Sequence, residues 1–291
     1  MVNRLKENDY FIYTCYFYIK YAIYNTMLKY TIESMSDSHF HILEMQKKNI
    51  DTALFFSNWE TYGGKYLVDI GIDEDHLEKR LECSKDRDYL YHSVGIHPNN
   101  ASGNLKSRIL TIENQLKNKR VIAIGETGLD YYWDTTPKKL QKEFFISHID
   151  LAIKYNLPII IHNRDASEDI LEILKSYNGK IKGVIHCFSS TPYFAKEFIK
   201  LGFYISFAGN LTYKNSSEIQ ESLKIVSIDK LLIETDSPYL APQKVRGQIN
   251  SPLNIGYTLD YMSDQLHNSR ANLIGQIHKN LIELFGFKEE I

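Results

Sequence analysis

Between residues 36 and 235 the chain alternates short apolar, β-branched runs with longer segments in which apolar residues recur at helical spacing. The runs at 36–41, 65–72, 89–98, 120–126, 158–162, 182–187, 203–207 and 230–235 predict strands. The segments 44–62, 73–83, 104–118, 137–156, 165–177, 191–201, 216–226 and 254–285 predict helices, the first closed by Gly63-Gly64. Eight strands in alternation with eight helices match the count of an α/β (β/α)8 TIM barrel, with a doubly wound open sheet as the competing arrangement.

The polar residues at the ends of the apolar runs favour the barrel. His41, His97, Glu126, His162 and His186 each end a run, and Asp236 lies just past the eighth. In a barrel the carboxyl ends of the strands meet at one mouth, so these side chains would converge. Within SDSHFHIL, side chains two positions apart on a strand share a face, so His39 and His41 would project together, as a chelating pair does. Each residue also has a plain structural reading. Glu126 suits a helix cap or ion pair, His162 and His186 suit hydrogen-bonded core positions, and Asp236 suits a turn before Pro238. Their joint occurrence at successive strand ends points to metal chemistry.

Composition narrows the function classes. The 291 residues carry 34 Lys and Arg against 36 Asp and Glu, a net charge of -2, which argues against a dedicated sequence-reading nucleic-acid binder but leaves room for a local phosphate site. Cys15, Cys83 and Cys187 share no short spacing, so neither a disulfide framework nor a cysteine zinc site is expected, and a reducing cytoplasm fits. The first 34 residues are rich in Tyr, Ile and Phe, but Lys20, Asn25 and Lys29 interrupt them short of the ~18–20 apolar residues a membrane span needs. No small-residue cleavage site comes after them. A helix lying on a membrane surface is one alternative. The expected organisation is an extension, 1–34, that lies outside the barrel and adds nothing to its core, then a barrel domain, 35–291, with Met35 as a possible start.

The blocks SDSHFHI, VGIHPNNA, AIGETGLDYY, IIIHNRDA, VIHCFSS and LLIETDSPYLAPQKVRGQINSP, in this order, resemble the signature blocks of the TatD family of metal-dependent deoxyribonucleases. The resemblance spans about residues 35–286. It implies an amidohydrolase-type TIM barrel with two divalent metal ions (Mg, Mn or Zn), and hydrolysis of phosphodiester bonds with exonuclease action from DNA 3′ ends. Carried over by position, it implies that His39, His41 and Asp236 hold one ion, that His162 and His186 hold the other, and that Glu126 bridges them. Two departures are visible: Ser190 stands where glycine is common, and Gln248 where lysine is frequent.

Two cations sharing a water would ionise it near neutral pH for attack on phosphorus, with Asp236 accepting the proton. Arg246 is the first choice for a phosphate clamp, because a guanidinium pairs with phosphate in a two-pronged way; Arg164 and His97 come second. Tyr131, Tyr132 and Trp133 are candidates for base stacking, or else core packing. DNA is the expected, transiently bound partner, with no stable protein partner and no membrane span. Two other functions fit the same pattern: a metal hydrolase acting on a small amide, lactone or aminoacyl ester, and a metal-stabilised binding protein without turnover.

Overall fold

The computed structural model describes residues 19–74, 76–133 and 135–287. Eight strands run in parallel in the order β1 to β8: Asp37–Phe40, Leu67–Asp69, Leu90–Val94, Val121–Asp130, Ile159–Arg164, Gly183–Ile185, Tyr204–Phe207 and Leu231–Ile233. The sheet closes on itself through a bridge between Phe40 and Ser237, and Ser38 Oγ donates to Ile233 O at 2.9 Å across the same seam. The protein is a TIM barrel.

Helices cover the outside. α1 occupies residues 19–32, and α2 (Ile42–Lys47) and α3 (Thr52–Thr61) come after β1. Then come α4 (Leu77–Ser84), α5 (Leu105–Gln115), α6 (Lys138–Tyr155), α7 (Ser167–Ser176), α8 (Pro192–Lys200) and α9 (Ser217–Ile225). α10 (Ile255–Leu266) and α11 (Arg270–Phe285) complete the barrel. Strands buried on both faces need continuous apolar runs, and Ile159, Ile160 and Ile161 of β5 are fully buried.

Two long helices expected from periodicity are each broken in two. The 44–62 segment stops where Asn49 turns to a φ of 59°, and restarts where the Asp51 side chain accepts from Leu54 N at 3.0 Å. The 254–285 segment breaks at His267, with a φ of 48°, and restarts at the Ser269 cap. Capping residues inside an unbroken apolar periodicity mark both breaks.

The expectation that residues 1–34 add nothing to the core does not hold for their last turns. Leu28 and Ile32 are buried with the barrel's hydrophobic cluster. Tyr30 Oη donates to Asp260 Oδ1 at 3.0 Å, and Arg270 Nη2 donates to Tyr30 O at 2.7 Å. Helical periodicity brings positions 28 and 32 onto one face, and that face meets the barrel. The earlier part of that extension, residues 1–18, lies outside the described residues, as does the end of the expected barrel domain, 288–291. No helix among the described residues is long and apolar enough to cross a membrane.

Candidate metal centre

The mouth is built from strand ends. β1 carries His39, His41 comes just past its end, and Asp236 reaches them from just past β8, its N–H donating to His39 O at 2.9 Å. β4 is longer than its apolar run, extending to Asp130, so Glu126 lies within the strand. Gly128 pairs in register with His162 of β5, and a Cβ there would lie 2.1 Å from His162 O. The missing side chain lets the two strands approach until Glu126 and His162 touch.

Glu126 divides the cluster by its two oxygens. Oε2 faces His39 Nε2 at 3.5 Å and His41 Nε2 at 3.8 Å. Those two nitrogens are 3.2 Å apart, and Asp236 Oδ1 lies 3.7 Å from the first and 3.3 Å from the second. Four donors at 2.0–2.1 Å around a tetrahedral ion would be separated by about 3.3 Å, so this set has the spacing of a coordination shell. Oε1 faces the other way, 2.6 Å from His162 Nδ1 and 2.7 Å from His186 Nε2. The His39 and His186 rings stack with centroids 3.9 Å apart, joining the two sides. Imidazole and carboxylate donors suit Zn or Mn, and carboxylates suit Mg, so the residues present fit divalent ions.

His41, Glu126, His162, His186 and Asp236 line an open cavity of about 810 Å³. A family model described as TatD related DNase matches residues 36–286. The chain belongs to the TatD family.

Among TatD relatives, the uncharacterized metal-dependent hydrolase YabD of Bacillus subtilis is 37% identical over 229 residues, 78% of this chain and 89% of that protein. The Escherichia coli metal-dependent hydrolase YcfH is 40% identical over 232 residues, covering 78% of this chain and 86% of the relative. The crystal structure of YjjV, a TatD homologue from E. coli, superposes with a TM-score of 0.80 at 22% identity, covering 88% of this chain and 99% of that one. The fold and the family agree: this is a metal-dependent hydrolase of TatD type.

Electrostatics in the cluster are set by burial and by the partners on each side. Burial opposes charge on Glu126, but the charge of His186 and the hydrogen bonds of His162 and His186 hold its carboxyl well below the usual range. Burial likewise opposes protonation of His186, yet Glu126 and then Glu234 raise it well above the ordinary imidazole value. His162 is raised against burial by Asp130 and Glu126. A proton on either imidazole occupies a lone pair for which a divalent ion competes. His39 is lowered by burial and by His186, which favours the neutral ring that ligates metal.

His97 behaves differently. Its Nδ1 accepts from Asn99 N at 3.1 Å, and burial, with His162 adding, holds it neutral down to about 3. A neutral ring that accepts at Nδ1 carries its proton on Nε2, which lies 3.5 Å from Glu126 Oε1. That Nε2–H is a donor pointed at the cluster, and His97 also lies with Asp130 and His162 in a third group whose atoms could hold an ion.

Other expected site residues are sorted by the tertiary structure. Arg164 lines the cavity with its guanidinium 4.2 Å over the Tyr132 ring, and Trp133 meets Tyr132 edge to face at 4.9 Å. Tyr132 and Trp133 are 55% and 53% exposed, which makes the rings available to a ligand. Tyr131 does not share this wall: it donates to Asp169 Oδ2 at 2.5 Å beside α7. Arg246, the first choice for a phosphate clamp, is not among the cavity-lining residues and instead lies 4.2 Å over Tyr213. The loop that carries it packs on the loop after β7, where Tyr213 Oη donates to Ala241 O at 3.0 Å and Gln243 N donates to Thr212 Oγ1 at 2.7 Å, a contact that sequence alone does not specify. Ser190, a departure from the family pattern, accepts from Ser167 Oγ at 2.8 Å, and Ser167 accepts from the Asn163 amide at 2.8 Å, tying β5 and the start of α7 to the loop after β6.

Two carboxylates carry no mark in the sequence pattern that would single them out. Asp130 Oδ2 lies 3.0 Å from His162 Nε2, and Glu234 Oε1 lies 3.2 Å from His186 Nδ1. His162 and His186 are thus each held from behind by a second carboxylate, an arrangement that sets ring orientation and raises ligand basicity. The only signals were the length of VIAIGETGLD as a strand and the two acids in LLIETD.

Proposed function

We propose that this chain is a divalent-metal-dependent phosphodiesterase that removes nucleotides from DNA 3′ ends, with Glu126 among the residues that would hold two divalent ions. The supporting observation is the division of Glu126, whose Oε2 faces His39 and His41 while Oε1 faces His162 and His186. His39, His41 and Asp236 would hold one ion, and His162 and His186 the other. Bound there, Mg, Mn or Zn supplies Lewis acidity toward the scissile phosphoryl group and makes an attacking water more acidic.

The chain's own residues do the rest. Asp236 is kept ionised against burial by His41 and His39, and accepts the proton released by the attacking water. The Nε2–H of His97 donates to a phosphoryl oxygen. Arg164 pairs with a backbone phosphate, and it replaces Arg246 in that role because it lines the cavity. Tyr132 and Trp133 offer faces on which bases stack, and DNA is bound only during turnover. Action in a reducing cytoplasm fits the free thiols of Cys83 and Cys187.

The test combines metal analysis of the purified protein with digestion of 5′-labelled single-stranded DNA, RNA, a lactone and an aminoacyl ester. The expected result is progressive shortening of DNA from its 3′ end, abolished by chelation and restored by Mg or Mn. Full turnover by metal-free protein would overturn the metal assignment. Turnover of the lactone or ester alone would replace the substrate.

A further inference from the structure

Outside the ligand cluster, three titratable side chains are buried together where β2, β3 and α4 meet. Asp69, Arg80 and His92 are 0%, 3% and 0% exposed. Apolar residues of similar volume commonly serve stability as well as or better than a buried ion pair, so stability alone is a poor reason for this group. Its hydrogen bonds lead toward the mouth.

Arg80 Nε donates to Asp69 Oδ2 at 2.6 Å, and Arg80 Nη2 donates to Asp69 O at 2.6 Å and to Ser93 O at 3.0 Å. His92 completes the set, with Nδ1 2.9 Å from the same Asp69 oxygen and Nε2 2.9 Å from Ser84 Oγ. The second Asp69 oxygen, Oδ1, accepts from Ile42 N at 2.9 Å and so fixes the peptide that leaves His41. On the other side, Ser93 Oγ accepts from Gly71 N at 3.2 Å, and Gly71 O accepts from Glu126 N at 2.8 Å. Gly71 leaves room for the guanidinium, since a Cβ there would lie 2.6 Å from Arg80 Nη1. Short chains of hydrogen bonds therefore run from one guanidinium to the backbone of His41 and to that of Glu126.

We propose that Arg80, acting through Asp69 and Ser93, is a positioning residue that presets His41 and Glu126 for metal without touching the ion. The inference rests on the reading of His41 and Glu126 as ligands. Arg80→Met leaves the Asp69 carboxylate buried with His92 and the Ile42 N–H as its remaining partners, so the peptide after His41 is no longer held in one place. The double variant Asp69→Asn, Arg80→Met removes that unpaired charge and guards against loss of folding.

The experiment is a titration of metal-free full-length protein with cobalt(II), monitored by visible absorption and calorimetry, with circular dichroism and thermal melting on the same samples. Wild type is expected to bind cobalt(II) with an absorption band of mixed nitrogen and oxygen ligation. Folded Arg80→Met is expected to bind about 10–100-fold more weakly with an altered band, the range in which indirect supports of ligands act. The double variant is expected to melt higher than Arg80→Met while keeping the weakened affinity. Wild-type affinity and spectrum in either folded variant, with only the melting temperature changed, would overturn the positioning role. Failure of the wild type to bind cobalt(II) at all would overturn the ligand assignment itself, and the positioning role with it.

Discussion

His162 lies between two carboxylates, with Nδ1 2.6 Å from Glu126 and Nε2 3.0 Å from Oδ2 of Asp130. Asp130 thereby decides which imidazole nitrogen can present a lone pair to the mouth. Asp130→Asn keeps the shape but weakens the acceptor, so an ion held by His162 and His186, as proposed, should bind about 10–100-fold more weakly while the other is little affected. Calorimetric titration of metal into the stripped variant checks this. Unchanged binding of both ions would show Asp130 to be a packing residue.

Glu126→Ala should behave unlike His162→Ala. The first removes a carboxylate that faces both histidine pairs, so occupancy of both positions should fall together; the second should chiefly empty one, with partial rescue at high metal concentration. Metal content per chain, read beside circular dichroism and turnover during metal titration, distinguishes them. Two bound ions and near-normal turnover in Glu126→Ala would leave Glu126 as a structural carboxylate only.

His148 of α6 ties the cluster to acid stability. Its Nδ1 donates to Phe144 O at 2.7 Å and its Nε2 accepts from Ile96 N at 3.1 Å, next to His97, which requires the neutral ring. Burial holds it down to about 4, against about 6.5 in the unfolded chain. Between these values the unfolded chain binds more protons, so this contribution is complete above pH ~6.5 and is lost as pH falls toward 4. Urea unfolding of metal-free wild type and His148→Gln across this window should show a shallower decline in the variant. Parallel curves would exclude His148 as a source of the pH dependence.

A chain starting at Met35 should keep its metal affinity but melt lower than the full chain. The proposed ligands all lie downstream, while Leu28 and Ile32 are 4% and 0% exposed. Loss of such side chains from a shared core removes about 1.5–3 kcal/mol each. Thermal melting and cobalt(II) titration of the two proteins check both halves. An unchanged melting temperature would return α1 to the status of an appendage.

Local rules made a large part of this site legible in the chain. Strand and helix periods placed the eight alternating units, and spacing by two put His39 and His41 on one face. His162, His186 and Asp236 could be read at or just past strand ends, because a side chain's position along its own strand is a short-range property. The helix breaks at Asn49 and His267 were blurred, since apolar periodicity continues across a single left-handed residue. Only the closed barrel decided which groups meet. The pairing of Gly128 with His162 brings β4 and β5 together, and this contact gives Glu126 a different neighbour at each oxygen. Closure also set Asp130 and Glu234 behind their imidazoles and placed Arg246 over Tyr213. It linked Arg80, through Asp69 and Ser93, to the peptides of Ile42 and Glu126, which lie far from it along the chain and share no motif with it. Such contacts depend on strand register and loop path, which are set by the packing of the whole barrel and leave no periodic trace in the sequence.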